Sequence, residues 1–106
     1  MFARLIKINL KPTRVAEFND KFEQQIIPML RKAKGFRDAI TFVVPGGAEA
    51  VAISLWDLKE HADAYNSVTY PEVLKALAMV LDGTPQVKTY EVTASTFAKV
   101  AAPAAV

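Results

Sequence analysis

The sequence predicts an α+β domain of order β-α-β-β-α-β, the ferredoxin-like split unit, with helices on one face of an antiparallel sheet. Three observations carry this. Four segments show the alternating or β-branched pattern of strands. Two intervening segments repeat their apolar residues at three- and four-residue steps, as amphipathic helices do. Clusters of Pro and Gly separate the segments, at Lys11-Pro12-Thr13, Pro45-Gly46-Gly47 and Asp82-Gly83-Thr84-Pro85.

The first strand is Phe2 to Leu10. Phe2, Ile6, Ile8 and Leu10 share one face, with Arg4 as the exception on it. Ala3, Leu5, Lys7 and Asn9 share the other. Thr13 is placed to cap the next helix. In that helix Val15, Phe18, Phe22, Ile26 and Met29 form the apolar stripe. Pro28 lies inside the pattern and removes a backbone donor, so the helix should kink or restart near it. Gly35 fits the C′ position. The run Arg31-Lys32-Ala33-Lys34 then falls at the helix end, where cations suit the dipole.

Phe36 to Val44 and Ala50 to Trp56 read as a hairpin closed by Pro45-Gly46-Gly47. A short helix from about Asp57 carries His61 and Tyr65. A further helix takes Pro71 at its first position, with Val73, Leu74, Leu77, Val80 and Leu81 as its stripe. Val87 to Thr93 is the last strand. Residues 1–97 form one domain on this reading, and 98–106 form an Ala-rich tail.

Composition narrows the function classes. The chain has 106 residues, 52% of them hydrophobic, which supports one domain with its own core. A formal net charge of +2 is too small to mark a nucleic-acid surface. The absence of cysteine excludes disulfides, thiolate metal sites and a Cys nucleophile, and a single histidine argues against a dedicated zinc site. No metal is therefore expected. No apolar run nears the ~20 residues of a membrane span, and Arg4, Lys7 and Lys11 break up any signal-like stretch. The expectation is a soluble cytoplasmic protein that binds neither membrane nor nucleic acid. Lys34-Gly35-Phe36 has a faint likeness to an RNA-recognition strand, but Arg37 and Asp38 follow where a small residue and an aromatic are needed. Gly46-Gly47 lacks the lysine and helix of a phosphate loop.

Lys34-Gly35-Phe36 at the helix-to-strand junction, Ser54-Leu55-Trp56-Asp57 before a helix beginning Lys59-Glu60, and Tyr70-Pro71-Glu72-Val73 at the last helix appear in that order. In order and spacing these motifs resemble the antibiotic biosynthesis monooxygenase family, over the chain up to about Ala98. The resemblance implies a dimeric α+β barrel. It also implies a cofactor-independent monooxygenase of phenols or quinols, a haem-degrading enzyme, or a member without known activity. The haem-degrading pattern fails at two of three positions: Trp56 matches, but Ile6 and Ala78 stand where an asparagine and a histidine are required. The asparagine of the aromatic-oxygenating pattern corresponds to Ala52. The alternative is a non-catalytic ligand-binding or dimerisation module of the same fold.

The chain's only tryptophan and only histidine lie close together, in SLWDLKEHADAY. Strand alternation puts Ala50, Ala52, Ser54 and Trp56 on one face, which the resemblance turns towards the helices. Three small residues ahead of a large ring admit two readings. Either a cavity opens there for a small aromatic ligand, with Trp56, Ala52, Ser54 and Phe22 as its contacts, or Phe18, Phe22 or Leu77 fills the space and Trp56 is core. His61 and Tyr65, four apart on one helix face, are candidates for a catalytic role with Asn9. His61 could instead be solvated or bonded to Asp57, and Tyr65 could line the pocket mouth or pack at an interface. Val51, Ile53 and Leu55 form an apolar row on the opposite, helix-free face. One short chain has nothing to cover that row, so a homodimer through this face is expected.

Overall fold

The computed structural model describes residues 1–96, so the Ala-rich tail lies outside the described residues. Strand β1 runs Phe2–Asn9. Its pleat puts Arg4, Ile8 and Leu10 into the interior and leaves Lys7 and Asn9 exposed. A 3-10 turn, Pro12–Arg14, follows, and helix α1 spans Val15–Lys21. Thr13 is not the cap: it lies within the 3-10 turn, and Arg14 precedes α1 without a capping side-chain bond. Arg14 instead pairs with Glu17 at 2.6 Å.

The helix continues through a π-type segment, Phe22–Ile26, into α2, Ile27–Lys32. The Ile27 N–H reaches back to the Phe22 carbonyl, a five-residue step. Pro28 falls in the first turn of α2, where its missing donor is tolerated. The proline therefore resets the register, and the widened turn carries Phe22 on its flank. Ala33 is extended and ends α2, so Gly35 (φ +79°) is not the C′ residue but sits in the turn beyond.

Strands β2 (Phe36–Val43) and β3 (Glu49–Trp56) form the hairpin. Strict alternation would place Phe36 with Ile40 and Phe42. A bulge between Phe36 and Asp38 turns it to the other face, opposite Trp56. Helix α3 is Lys59–Val68 and α4 is Tyr70–Leu77. Pro71 is the second helical residue of α4, not the first. The stripe outruns its helix: Val80 and Leu81 lie past the end of α4, Val80 fully buried and Leu81 bridging to Leu10. Strand β4 is Gln86–Glu91.

The strand order is β2-β3-β1-β4, with every neighbouring pair antiparallel. The core lies between the sheet and the helices. Phe18, Ile26 and Leu30 meet Ala50, Ala52 and Trp56 there, closed by Val73 and Leu77. Among the described residues, the opposite sheet face has no helix. Its large apolar residues remain exposed, Ile40 at 53% and Phe42 at 50%. Among the described residues, no helix is long and apolar enough to cross a membrane.

Candidate functional site

A cavity of about 30 Å³ lies between the sheet and the helices, over Ala52 and Ser54 of β3. Phe22, Ile26, Leu74 and Leu77 make its apolar wall. Its polar end is formed by Ser54, Arg4, Tyr65 and Tyr70. The volume suits two or three water molecules, at ~10–15 Å³ each.

Trp56 does not line this cavity. Its ring is fully buried, 5.6 Å from the Phe36 ring and 5.0 Å from the Tyr65 ring. Its indole N–H donates to Ser54 Oγ at 2.9 Å. The tryptophan is thus core, one residue layer behind the open space. It holds the serine hydroxyl in place, and the serine hydrogen remains available to the cavity.

Tyr65 is 4% exposed and packs inside its own chain, not at an outer surface. Burial pushes its phenol up to about 12, with the Arg4 charge pulling the other way. Tyr70 is likewise raised by burial and opposed by Arg4. Neither phenol serves as a base near neutral pH.

The other two catalytic candidates lie elsewhere. His61 lines no part of the cavity; its ring lies against Gly35, where only a residue without Cβ fits. Its Nδ1 is buried without a hydrogen-bond partner. It is not bonded to Asp57, whose carboxylate takes the Arg37 side chain instead. Asn9 is exposed on the helix-free side, in a groove with Lys7, Phe42 and Glu49. The geometry therefore joins Tyr65, Ser54, Ala52 and Phe22 in one space, and excludes His61, Asn9 and the Trp56 ring.

The residue missing from the sequence-based set is Arg4. It is 1% exposed, and among the described residues it forms no ion pair. Nη2 donates to the Asn66 amide oxygen at 2.7 Å, while Nε and Nη1 are buried without partners. The guanidinium carbon lies 4.1 Å from the Tyr70 ring centroid and 5.1 Å from that of Tyr65. Burial lowers the guanidinium from its ordinary pKa, and both tyrosines counteract this. The available signal was a charge on the otherwise apolar face of β1.

No family model matches the sequence, and no curated protein does either. Solved structures do match the fold. The ActVA-Orf6 monooxygenase of Streptomyces coelicolor, solved with nanaomycin D, superposes with a TM-score of 0.76 at 15% identity, over 91% of this chain and 90% of that one. An antibiotic biosynthesis monooxygenase gives 0.71 at 12% identity, over 87% and 98%. This chain has the antibiotic biosynthesis monooxygenase fold. A mutant of SnoaB, a cofactor-independent oxygenase of Streptomyces nogalater, shares it with a TM-score of 0.73 at 14% identity, over 91% and 96%. In the monooxygenase fold the space over Ala52 and Ser54 lies between the sheet and the helices that cover it.

Proposed function

We propose that this protein binds a small aromatic molecule between its sheet and helices and oxygenates it without a cofactor. The substrate class would be an electron-rich phenol or quinol. The observation that carries this reading is the cavity itself, which is apolar on the helix side and polar at Arg4, Ser54, Tyr65 and Tyr70. At about 30 Å³ it does not admit a ring as it stands. Half-buried Phe22, on the π-type segment, is the side chain best placed to swing aside. Such a reaction balances without an added reductant. A phenol and dioxygen give a quinone and water, and the four electrons come from the substrate. The protein would bind the ring, hold its oxygen and exclude water.

One observation favours a second reading, a non-catalytic ligand binder. The cavity contains no group that takes up a proton near neutral pH, since Tyr65 is raised to about 12 and His61 lies outside. Oxygen uptake with a panel of phenols and quinols separates the two. Uptake that requires both the protein and a panel substrate supports the oxygenase. Saturable binding without uptake supports the binder.

The assembly proposed is a homodimer through the helix-free face. Ile40 and Phe42 on β2, half-buried Val51, Ile53 and Leu55 on β3, and Tyr90 on β4 make that face apolar, and the described residues of one chain leave it uncovered. A two-fold pairing of this face would cover it with a copy of itself.

A further inference from the structure

Arg4 carries a charge into the interior of the protein, and among the described residues no carboxylate meets it. Every ionisable side chain lining the cavity is accounted for by Arg4, Tyr65 and Tyr70; none is acidic. The charge is met on two sides by aromatic ring faces and on a third by one neutral amide oxygen. Nε and Nη1 remain buried without a well-aligned hydrogen bond, as does the Tyr70 hydroxyl, which lies close enough to the guanidinium to interact with it. A buried donor left without a partner is costly, and a charged one more so. A structural arginine would recover that cost through a buried carboxylate, or a neutral side chain of similar volume would stand in its place. Neither has happened at this position. The unspent donors point to something that is absent from the free chain.

We propose that the cavity is an oxyanion site: it takes a small organic anion whose oxygen sits on Arg4, with the Ser54 and Tyr70 hydroxyls beside it. The ligand's apolar body lies against Phe22, Ile26, Leu74 and Leu77. This rests on the cavity reading given above and narrows its substrate class. It also removes the difficulty of the missing base, because a substrate that arrives already ionised needs no proton acceptor. The oxyanion could be a carboxylate or an ionised phenol. Both offer the same acceptor to a guanidinium.

Calorimetric titration with matched pairs tests this: benzoate against benzamide, and 4-nitrophenolate against uncharged 4-nitroaniline. The expected result is that at least one anion binds the wild-type protein ~tenfold or more tightly than its neutral partner, as charge-assisted bonds imply. The pair that shows the preference identifies the source of the oxyanion. In Arg4→Met the ratio should fall to about one while the protein stays folded. Should that variant not fold, the wild-type ratio and the Arg4 Nε–H resonance decide. That resonance should move on adding the preferred anion and stay still with its neutral partner. The inference is overturned if neither anion binds the wild type more tightly than its neutral partner, or if none of the four probes binds. It is also overturned if the preference survives Arg4→Met, or if the Nε–H resonance ignores the anion. Equal binding of anions and neutral partners would leave the pocket standing without this site. Failure of oxygen uptake alone would touch the oxygenase reading and not this one.

Discussion

The indole Nε1 of Trp56 donates to the hydroxyl of Ser54 at 2.9 Å, two residues back on the same strand and on the same face. Both groups are buried. Ser54→Ala would leave a buried N–H unpaired, at a cost of about 1–3 kcal/mol. The urea midpoint should drop with an unchanged slope, and the Trp56 emission should shift. A midpoint equal to the wild type would mean that the indole has another acceptor.

Ala52 faces the cavity, and a larger side chain there should enter space that already exists. Ala52→Val adds two carbons and suits a strand. Stability should hold or rise slightly, while ligand binding weakens. A loss of the ~1–3 kcal/mol typical of overpacking would show that the space does not accept carbon.

A Cβ on Gly35 would lie 2.0 Å from His61 Nδ1, and the glycine has φ +79°. Gly46, at φ +71°, has nothing within 4 Å of its notional Cβ. Gly46→Ala should carry only the backbone strain, of order 1–3 kcal/mol. Gly35→Ala should cost more, and a second change, His61→Ala, should recover only part of the excess, because the His61 Cβ itself would lie 2.7 Å from the new carbon. Equal losses at the two glycines would mean that the histidine simply moves away.

Alkaline stability should report the buried phenols. Tyr65 titrates at about 12 in the folded protein, above the ordinary 10.0, so the folded state holds its proton longer than the unfolded state does. Stability from this group is complete below about pH 10 and is lost as the pH rises towards 12. Tyr70 is shifted in the same direction. Tyr65→Phe should therefore flatten the fall in thermal midpoint between those pH values. A parallel curve would place the shift elsewhere.

Phe42 is half exposed on the helix-free face and makes little of the core, so Phe42→Asp should leave the fold intact. An obligate interface on this face would bury on the order of 2,000 Å² or more, and a carboxylate within it would not be tolerated. Sedimentation at micromolar concentration should show a dimer for the wild type and a monomer for the variant. A monomeric wild type would rule out the homodimer.

The sequence by itself determined the order of elements, the helix-facing side of β3 and the apolar row opposite it. Side-chain alternation and the 3.6-residue period are local properties, and each follows from backbone geometry alone. The same logic marked Arg4 as out of place on β1 and Trp56 as a large ring beyond small neighbours. It could not tell that Pro28 would shift the helix into a π-type segment at Phe22, or that a bulge would turn Phe36 onto Trp56. Register and bulges depend on what pairs across the sheet, not on the strand alone. The site was decided by contacts still more distant in sequence. Tyr65 on α3 and Tyr70 on α4 close over Arg4 of β1, sixty or more residues away, while His61, one turn from Tyr65, turns aside onto Gly35. Periodicity assigns a residue to a face; only the packing of whole elements selects which side chain from which helix arrives there.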